Sequence, residues 1–209
     1  MSKWILTGVA IATASIAAVA AVPAPRAAEP TLGAPALDFS ARDANGNAVW
    51  LHDFKGKIVV LEWNNPGCPF VQKHYKSGNM QRTQAAATAQ GVVWLTINSG
   101  AAGQQGHMSG AQAKQFVAGA GAKPTRYLLD PLGIVGKGYG AKTTPHMYII
   151  DANGRLVYRG GIDDKPTADQ ADIAGARNHV TAALAELRAG KPVSVAETRP
   201  YGCSVKYAN

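Results

Sequence analysis

Cys68 is the residue of this chain best placed for covalent chemistry. It stands in Asn64-Asn65-Pro66-Gly67-Cys68-Pro69-Phe70, shortly after the apolar run Ile58 to Leu61. Proline is favoured in the first helical turn, where its missing N–H costs nothing. Pro69 therefore predicts that Cys68 lies at or beside a helix N-terminus, whose partial positive charge favours the thiolate, the reactive form of the thiol. The alternative is an inert cysteine packed into a turn of small residues, since free Cys is among the most buried residue types. The helix-terminus setting favours the reactive reading. Cys203, in Tyr201-Gly202-Cys203-Ser204-Val205-Lys206, is the only other cysteine and so the only partner within the chain. A bond across those 135 positions would stabilise by about 4–5 kcal/mol on the chain-entropy view. Two readings of that bond stay open. One is a permanent staple; the other is a redox pair in which Cys68 attacks and Cys203, on a mobile tail, resolves. Both expect a Cys68–Cys203 disulfide, and they differ in how easily it is reduced.

A second signal is Thr143-Thr144-Pro145-His146, immediately before the apolar stretch Met147 to Ile150. Proline is tolerated as the first residue of a strand. The Thr144-Pro145 bond is either an ordinary trans proline at a strand start or a cis proline in a constrained turn. Cys68, His74, His107, Met108, His146 and Met147 are soft or borderline ligands, so copper handling through cysteine and histidine is a further possibility. Cys68 and His74 point to different sides of a helix at that spacing. His146, next to Pro145, could approach Cys68. His74 and His179 are expected on helix surfaces, and Met108 and Met147 in packing.

The elements that must position these residues alternate between strand and helix. Leu37 to Ser40 and Ala48 to Leu51 flank the turn Asp43-Ala44-Asn45-Gly46, and His146 to Ile150 and Leu156 to Tyr158 flank Asp151-Ala152-Asn153-Gly154; both read as hairpins. Ile58 to Leu61 and Val92 to Ile97 read as buried strands. A helix is expected from Phe70 into Ala85-Ala86-Ala87, another from Ser109 to Ala118 with Ser109 as N-cap, and a last one through Ile173, Arg177, Val180, Leu184 and Leu187. Tyr127 to Asp130 reads as a short strand. A βαβ crossover followed by a hairpin and a closing helix implies an α/β domain with a mixed sheet covered on both faces.

Composition bounds the function classes. The chain has 209 residues, 46% of them hydrophobic and 16% charged, enough to bury a core. Its net charge of +8 comes from singly scattered Lys and Arg, with no basic run or aromatic-interleaved strip, which argues against nucleic-acid binding. At the N-terminus Lys3 precedes an uncharged stretch from Trp4 to Val22, then Pro23 and the small residues Ala24, Ala27 and Ala28. This is the build of a secretory signal peptide, with an uncleaved membrane anchor as the rival. The expected division is a leader at 1–28, a domain at 29–189 and a tail at 190–209 that carries Cys203. Export would place the protein in an oxidising compartment, the periplasm, where a disulfide persists.

The order of strand, Cys-Pro, helix, strand, helix, Thr-Thr-Pro, hairpin and helix resembles the thioredoxin superfamily. The nearer likeness is to the peroxiredoxin-like redoxins of the alkyl hydroperoxide reductase and thiol-specific antioxidant group. It covers Pro35 to Leu187, with Ala34-Pro35-Ala36-Leu37-Asp38-Phe39 as lead-in and Asp151 to Gly160 as the hairpin. The tail Gly202-Cys203-Ser204-Val205-Lys206-Tyr207 is similar to a branch that ends in Gly-Cys-Ser-Ile-Lys-Trp. The resemblance implies a thioredoxin-like fold, Cys68 at the peroxidatic position and Pro145 as the cis-proline facing it. The sequence singles out no substrate: peroxide, a small thiol and a protein disulfide are all compatible, with an external thiol as reductant and no cofactor expected. The departures are specific. Where a peroxiredoxin has a proline seven residues, and Thr or Ser three residues, before the reactive cysteine, this chain has Leu61 and Asn65. Asn65 also stands where relatives carry the first cysteine of a Cys-x-x-Cys pair, so a two-thiol cycle must use Cys203. A peroxide rate well below that of a full peroxiredoxin is expected, and the alternative is a non-catalytic or copper-handling protein with a structural Cys68–Cys203 bond.

Overall fold

The computed structural model describes Met1 and residues 29–208; the residues read as a leader, apart from Met1, and Asn209 lie outside the described residues. Strands β1 (Ser40–Asp43) and β2 (Ala48–Trp50) form the first expected hairpin. The Asp43 carboxylate holds its turn by accepting the N–H groups of Asn45 and Asn47, both at 2.9 Å. Strands β7 (His146–Ile150) and β8 (Leu156–Gly160) form the second, and Asp151 repeats the device with the N–H groups of Asn153 and Arg155, again at 2.9 Å. Between the hairpins lie β3 (Val59–Trp63), β4 (Val93–Asn98) and β5 (Arg126–Leu129), parallel to one another. The seven strands run in the order β2-β1-β5-β4-β3-β7-β8, so β3 is an interior strand, between β4 and antiparallel β7. That position explains its unbroken burial from Val59 to Trp63.

The chain crosses from β3 to β4 through two helices, α1 (Pro69–Lys76) and α2 (Asn79–Thr88), not the single helix expected. The break is at Gly78, whose φ of +73° is left-handed and open to glycine without strain. Helix α3 (Gly110–Gly119) follows β4 and starts as expected: Ser109 accepts the Gln112 N–H at 3.3 Å, and Gln112 returns the bond to the Ser109 N–H at 2.8 Å. Helix α4 (Ile134–Tyr139), missed in the sequence, precedes a two-residue strand β6 (Thr143–Thr144). The closing helix α5 runs only from His179 to Arg188, capped by Asn178. Ile173 belongs instead to a 3-10 segment, Gln170–Gly175, and Arg177 precedes the helix. Among the described residues no helix is long and apolar enough to cross a membrane.

Two cores cover the sheet. On one face Val60, Trp94, Met147, Ile149 and Tyr158 pack with Val71 and Tyr75 of α1, Met80 of α2 and Val180 and Leu184 of α5. On the other, Val59, Leu61, Trp63, Leu95 and Tyr148 pack with Val135 and Tyr139 of α4. The fold is thus the mixed α/β sheet with helices on both faces that the sequence implied. The tail returns across the end of β3: Tyr201 and Cys203 pack on the first core and Val205 on the second.

Candidate thiol site

After β3 the chain turns through Asn65, whose side-chain oxygen accepts the Gly67 N–H at 2.9 Å and whose carbonyl accepts the Cys68 N–H at 2.9 Å. Cys68 is the N-cap of α1, with Pro69 at its first position, as the sequence predicted. Its thiol is buried and donates to the Thr144 carbonyl at 3.1 Å. The Thr144-Pro145 peptide is cis. Tail residues Cys203–Ser204 form strand β9, antiparallel to β6, with Cys203 opposite Thr144. This ladder brings the Cys203 N–H to 3.4 Å from the Cys68 sulfur, so residues 135 positions apart share one site. Gly202, with φ +131°, admits the close approach: a β-carbon there would collide with the Thr144 carbonyl oxygen. Both cysteines are free thiols in this structure. The tail is also held rather than loose, because Val205 N–H donates to the Lys142 carbonyl at 3.1 Å and the Tyr207 hydroxyl to the Ala141 carbonyl at 2.7 Å.

The two thiols differ in acidity. Burial pushes the Cys68 thiol up, but hydrogen bonds from the Cys203 thiol, the Thr144 hydroxyl and the backbone N–H groups of Val71 and Cys203 outweigh it and hold the group below its ordinary range. Burial, the hydrogen bond to Cys68 and the charge on Cys68 push the Cys203 thiol up to about 11, against a weaker pull from Lys206.

The histidines are not where the sequence suggested. His74 is buried, not on a helix surface, and burial with Lys73 nearby pushes its pKa down to about 4 against the opposing charge of Asp163. The amphipathic pattern could not reveal this, since its partners Asp163 and Tyr201 lie far along the chain. His179 is half-buried. His146 is buried and its Nδ1 lies 3.2 Å from both the Lys142 N–H and the Tyr148 hydroxyl. His107 is engaged with the Gly100 carbonyl at 2.9 Å, and Met147 lies in the core. Among the described residues no group of three or more His, Cys, Asp or Glu could hold a metal ion.

Sequence reasoning also missed Glu62 and Lys73. Glu62 is fully buried and accepts from Asn64, Tyr75, Gln84, Trp94 and Thr96 at 2.8–3.2 Å. Burial raises its pKa, with those bonds opposing. A charged residue inside the apolar run Val59 to Trp63 was the available signal. Lys73 carried none, being an ordinary lysine in a polar helix.

Residues 32–159 match the model of the AhpC/TSA family. The chain belongs to that family. The match ends before α5 and the tail, so Cys203 lies outside it. Solved structures extend the likeness. An uncharacterized conserved protein from Geobacillus kaustophilus is 32% identical over 85% of this chain and 93% of its own, with a TM-score of 0.76. A hypothetical protein from Sinorhizobium meliloti is 27% identical over 87% and 97%, with a TM-score of 0.73. A structure from Chlorobium tepidum described as a thiol:disulfide interchange protein DsbE is 26% identical over 63% and 85%, with a TM-score of 0.52. No curated protein matches the chain. This AhpC/TSA protein therefore has the thioredoxin-like redoxin fold of thiol-disulfide oxidoreductases.

Proposed function

We propose that this AhpC/TSA protein is an exported, periplasmic thiol-dependent oxidoreductase in which Cys68 attacks and Cys203 resolves. The observation that carries the reading is the 3.4 Å approach of the Cys203 N–H to the sulfur of a cysteine that caps a helix. In the first step the Cys68 thiolate attacks a peroxide oxygen or one sulfur of a disulfide, releasing an alkoxide or hydroxide, or a thiolate, that takes up a proton. Cys68 is left as a sulfenic acid or a mixed disulfide. Cys203, as thiolate, then attacks the Cys68 sulfur, expels water or the second thiol, and closes the intramolecular bond. Two external thiols reopen it and leave as one disulfide. The donors around Cys68 lower the cost of its thiolate, whereas Cys203 is poorly ionised until it is called on. Pro145 acts through its cis peptide bond, whose Thr144 carbonyl accepts from the Cys68 thiol. With Asn65 in place of Thr or Ser, peroxide is expected to be a slower substrate than a disulfide. The leader reading of residues 1–28 supports export.

The test is a Cys203→Ser variant treated with a peroxide or a model disulfide. The proposal expects an adduct trapped on Cys68, seen by intact mass. The complete burial of Cys68 favours a second reading, a structural staple. No adduct on Cys68, together with a wild-type bond that resists glutathione, would establish the staple instead.

A further inference from the structure

Helix α1 carries Cys68 at its N-cap and, one to two turns further on, grips the tail just before Cys203. Phe70 meets the Tyr201 ring edge to face, centroids 5.9 Å apart, and Lys73 Nζ lies 5.7 Å from the same ring centre. The Asn79 amide donates to His74 Nδ1 at 2.8 Å, which places the proton of the neutral imidazole on Nε2. That nitrogen lies 3.2 Å from the Tyr201 hydroxyl, and the hydroxyl itself donates to Asp163. The other Asp163 oxygen has no hydrogen-bond partner; it faces Lys73 Nζ at 3.7 Å and His74 Nε2 at 3.8 Å. Lys73 Nζ donates to the Lys165 carbonyl at 2.7 Å and so ties down the loop that carries Asp163.

Buried charge is costly to retain, and none of these hydrogen bonds reaches a sulfur. What they fix is the place of Tyr201. Two residues span at most about 7 Å, so a fixed Tyr201 confines Cys203. We infer that Tyr201, gripped by Asp163 and His74, is a positioning residue that sets Cys203 against Cys68. The inference rests on the proposed pairing of these two thiols. Because Cys68 and the grip share one helix, closing the bond leaves their relation intact, and Cys203 acts at a high effective concentration.

The experiment equilibrates the wild-type and Tyr201→Phe proteins in glutathione buffers of graded redox ratio and measures the fraction bonded by thiol labelling. In each case Cys68 and Cys203 give two protons and two electrons to one oxidised glutathione, which leaves as two thiols. The bond's equilibrium constant should fall about tenfold in Tyr201→Phe, a shift of about 30 mV toward easier reduction. The alkylation rate of Cys68 in a Cys203→Ser background should not change with Tyr201→Phe. A tyrosine that only stabilised the fold would lower the melting temperature and leave the constant as it was; that result overturns the inference. If Tyr201→Phe does not fold, Phe70→Leu removes the edge-to-face ring, and a fall of about threefold is expected, an unchanged constant again counting against it. A wild-type protein that forms no bond at any ratio overturns the pairing itself and, with it, this role for Tyr201.

Discussion

On the face of the sheet covered by α4, Leu61, Trp63, Leu95, Tyr139 and Tyr148 interlock, with Trp63 and Tyr148 ring centroids 5.1 Å apart. On the face covered by α1, α2 and α5, apolar side chains share the interior with Glu62, Lys73, His74, Gln84 and Asp163. Asp130, on the side of α4, anchors the N-terminal turn of that helix by accepting from Gly136 and binds Ser99, which in turn receives the Trp63 indole at 3.0 Å. One face is therefore held mainly by packing. The other is held by packing plus buried polar groups that are hydrogen-bonded or, like the second Asp163 oxygen, paired by charge alone. The buried polar groups collect around the helix that Cys68 caps, which supports reading that face as constrained by chemistry as well as by stability.

The comparison can be broken most forcefully from the aromatic side. Trp63→Ala should lose about 3–5 kcal/mol, the range for emptying a large core site, read as a fall in the urea midpoint. A loss below about 1 kcal/mol would mean that this face is not the packed one. On the polar face, Lys73→Met leaves Asp163 without its cation and should cost about 3 kcal/mol. Adding Asp163→Leu should restore much of it, because removing both charges also removes both desolvation penalties. If the double variant is no more stable than the single one, the buried pair is not what the first substitution disturbed. Glu62→Gln keeps the volume but turns an amide NH2 toward donors such as Tyr75 and Trp94, at a cost of about 2 kcal/mol in the same assay.

The smallest effect sharpens the comparison through pH. His74 has a folded-state pKa of about 4 against an ordinary 6.5, so on acidification the unfolded chain takes the proton first. The stability associated with neutral His74 is fully present above pH 6.5 and is lost as pH falls toward 4, at up to about 1.4 kcal/mol per unit. Glu62 and Asp130, with raised pKa values, act with the opposite sign in the same region. Only the difference between wild type and His74→Gln therefore isolates the histidine. That difference should shrink as pH falls from 6.5 to 4, and a constant difference would place a charged His74 in the folded protein.

Much of the architecture was legible because local chemistry determines it. Both Asp-Ala-Asn-Gly turns, the buried runs of β3 and β4, the Ser109 cap and the Cys68-Pro69 helix start are written within a few residues of where they act. The single helix expected over α1 and α2 failed at Gly78, where one left-handed residue ends a pattern that periodicity alone continues. Helix α4 was hidden by its two glycines and short length. The closing helix was drawn too early because Ile173 falls at helical spacing yet sits in a 3-10 segment. The polar face was legible only at Glu62, a charge inside an apolar run; Lys73 and His74 look like solvent-facing residues until Asp163 and Tyr201 are folded against them. Cys203 was found because it was the only other cysteine, but its anchored tail was not foreseen.

The central claim is that one site makes its two thiols unequal. Carbon NMR of the reduced protein, with the cysteine β-carbons labelled, follows both ionisations across pH, and Cys68→Ser assigns them. The account predicts two separated steps, one below the ordinary cysteine range that disappears in Cys68→Ser and one near 11 from Cys203. Two thiols that titrate together at an ordinary cysteine pKa of about 8.5 would contradict it.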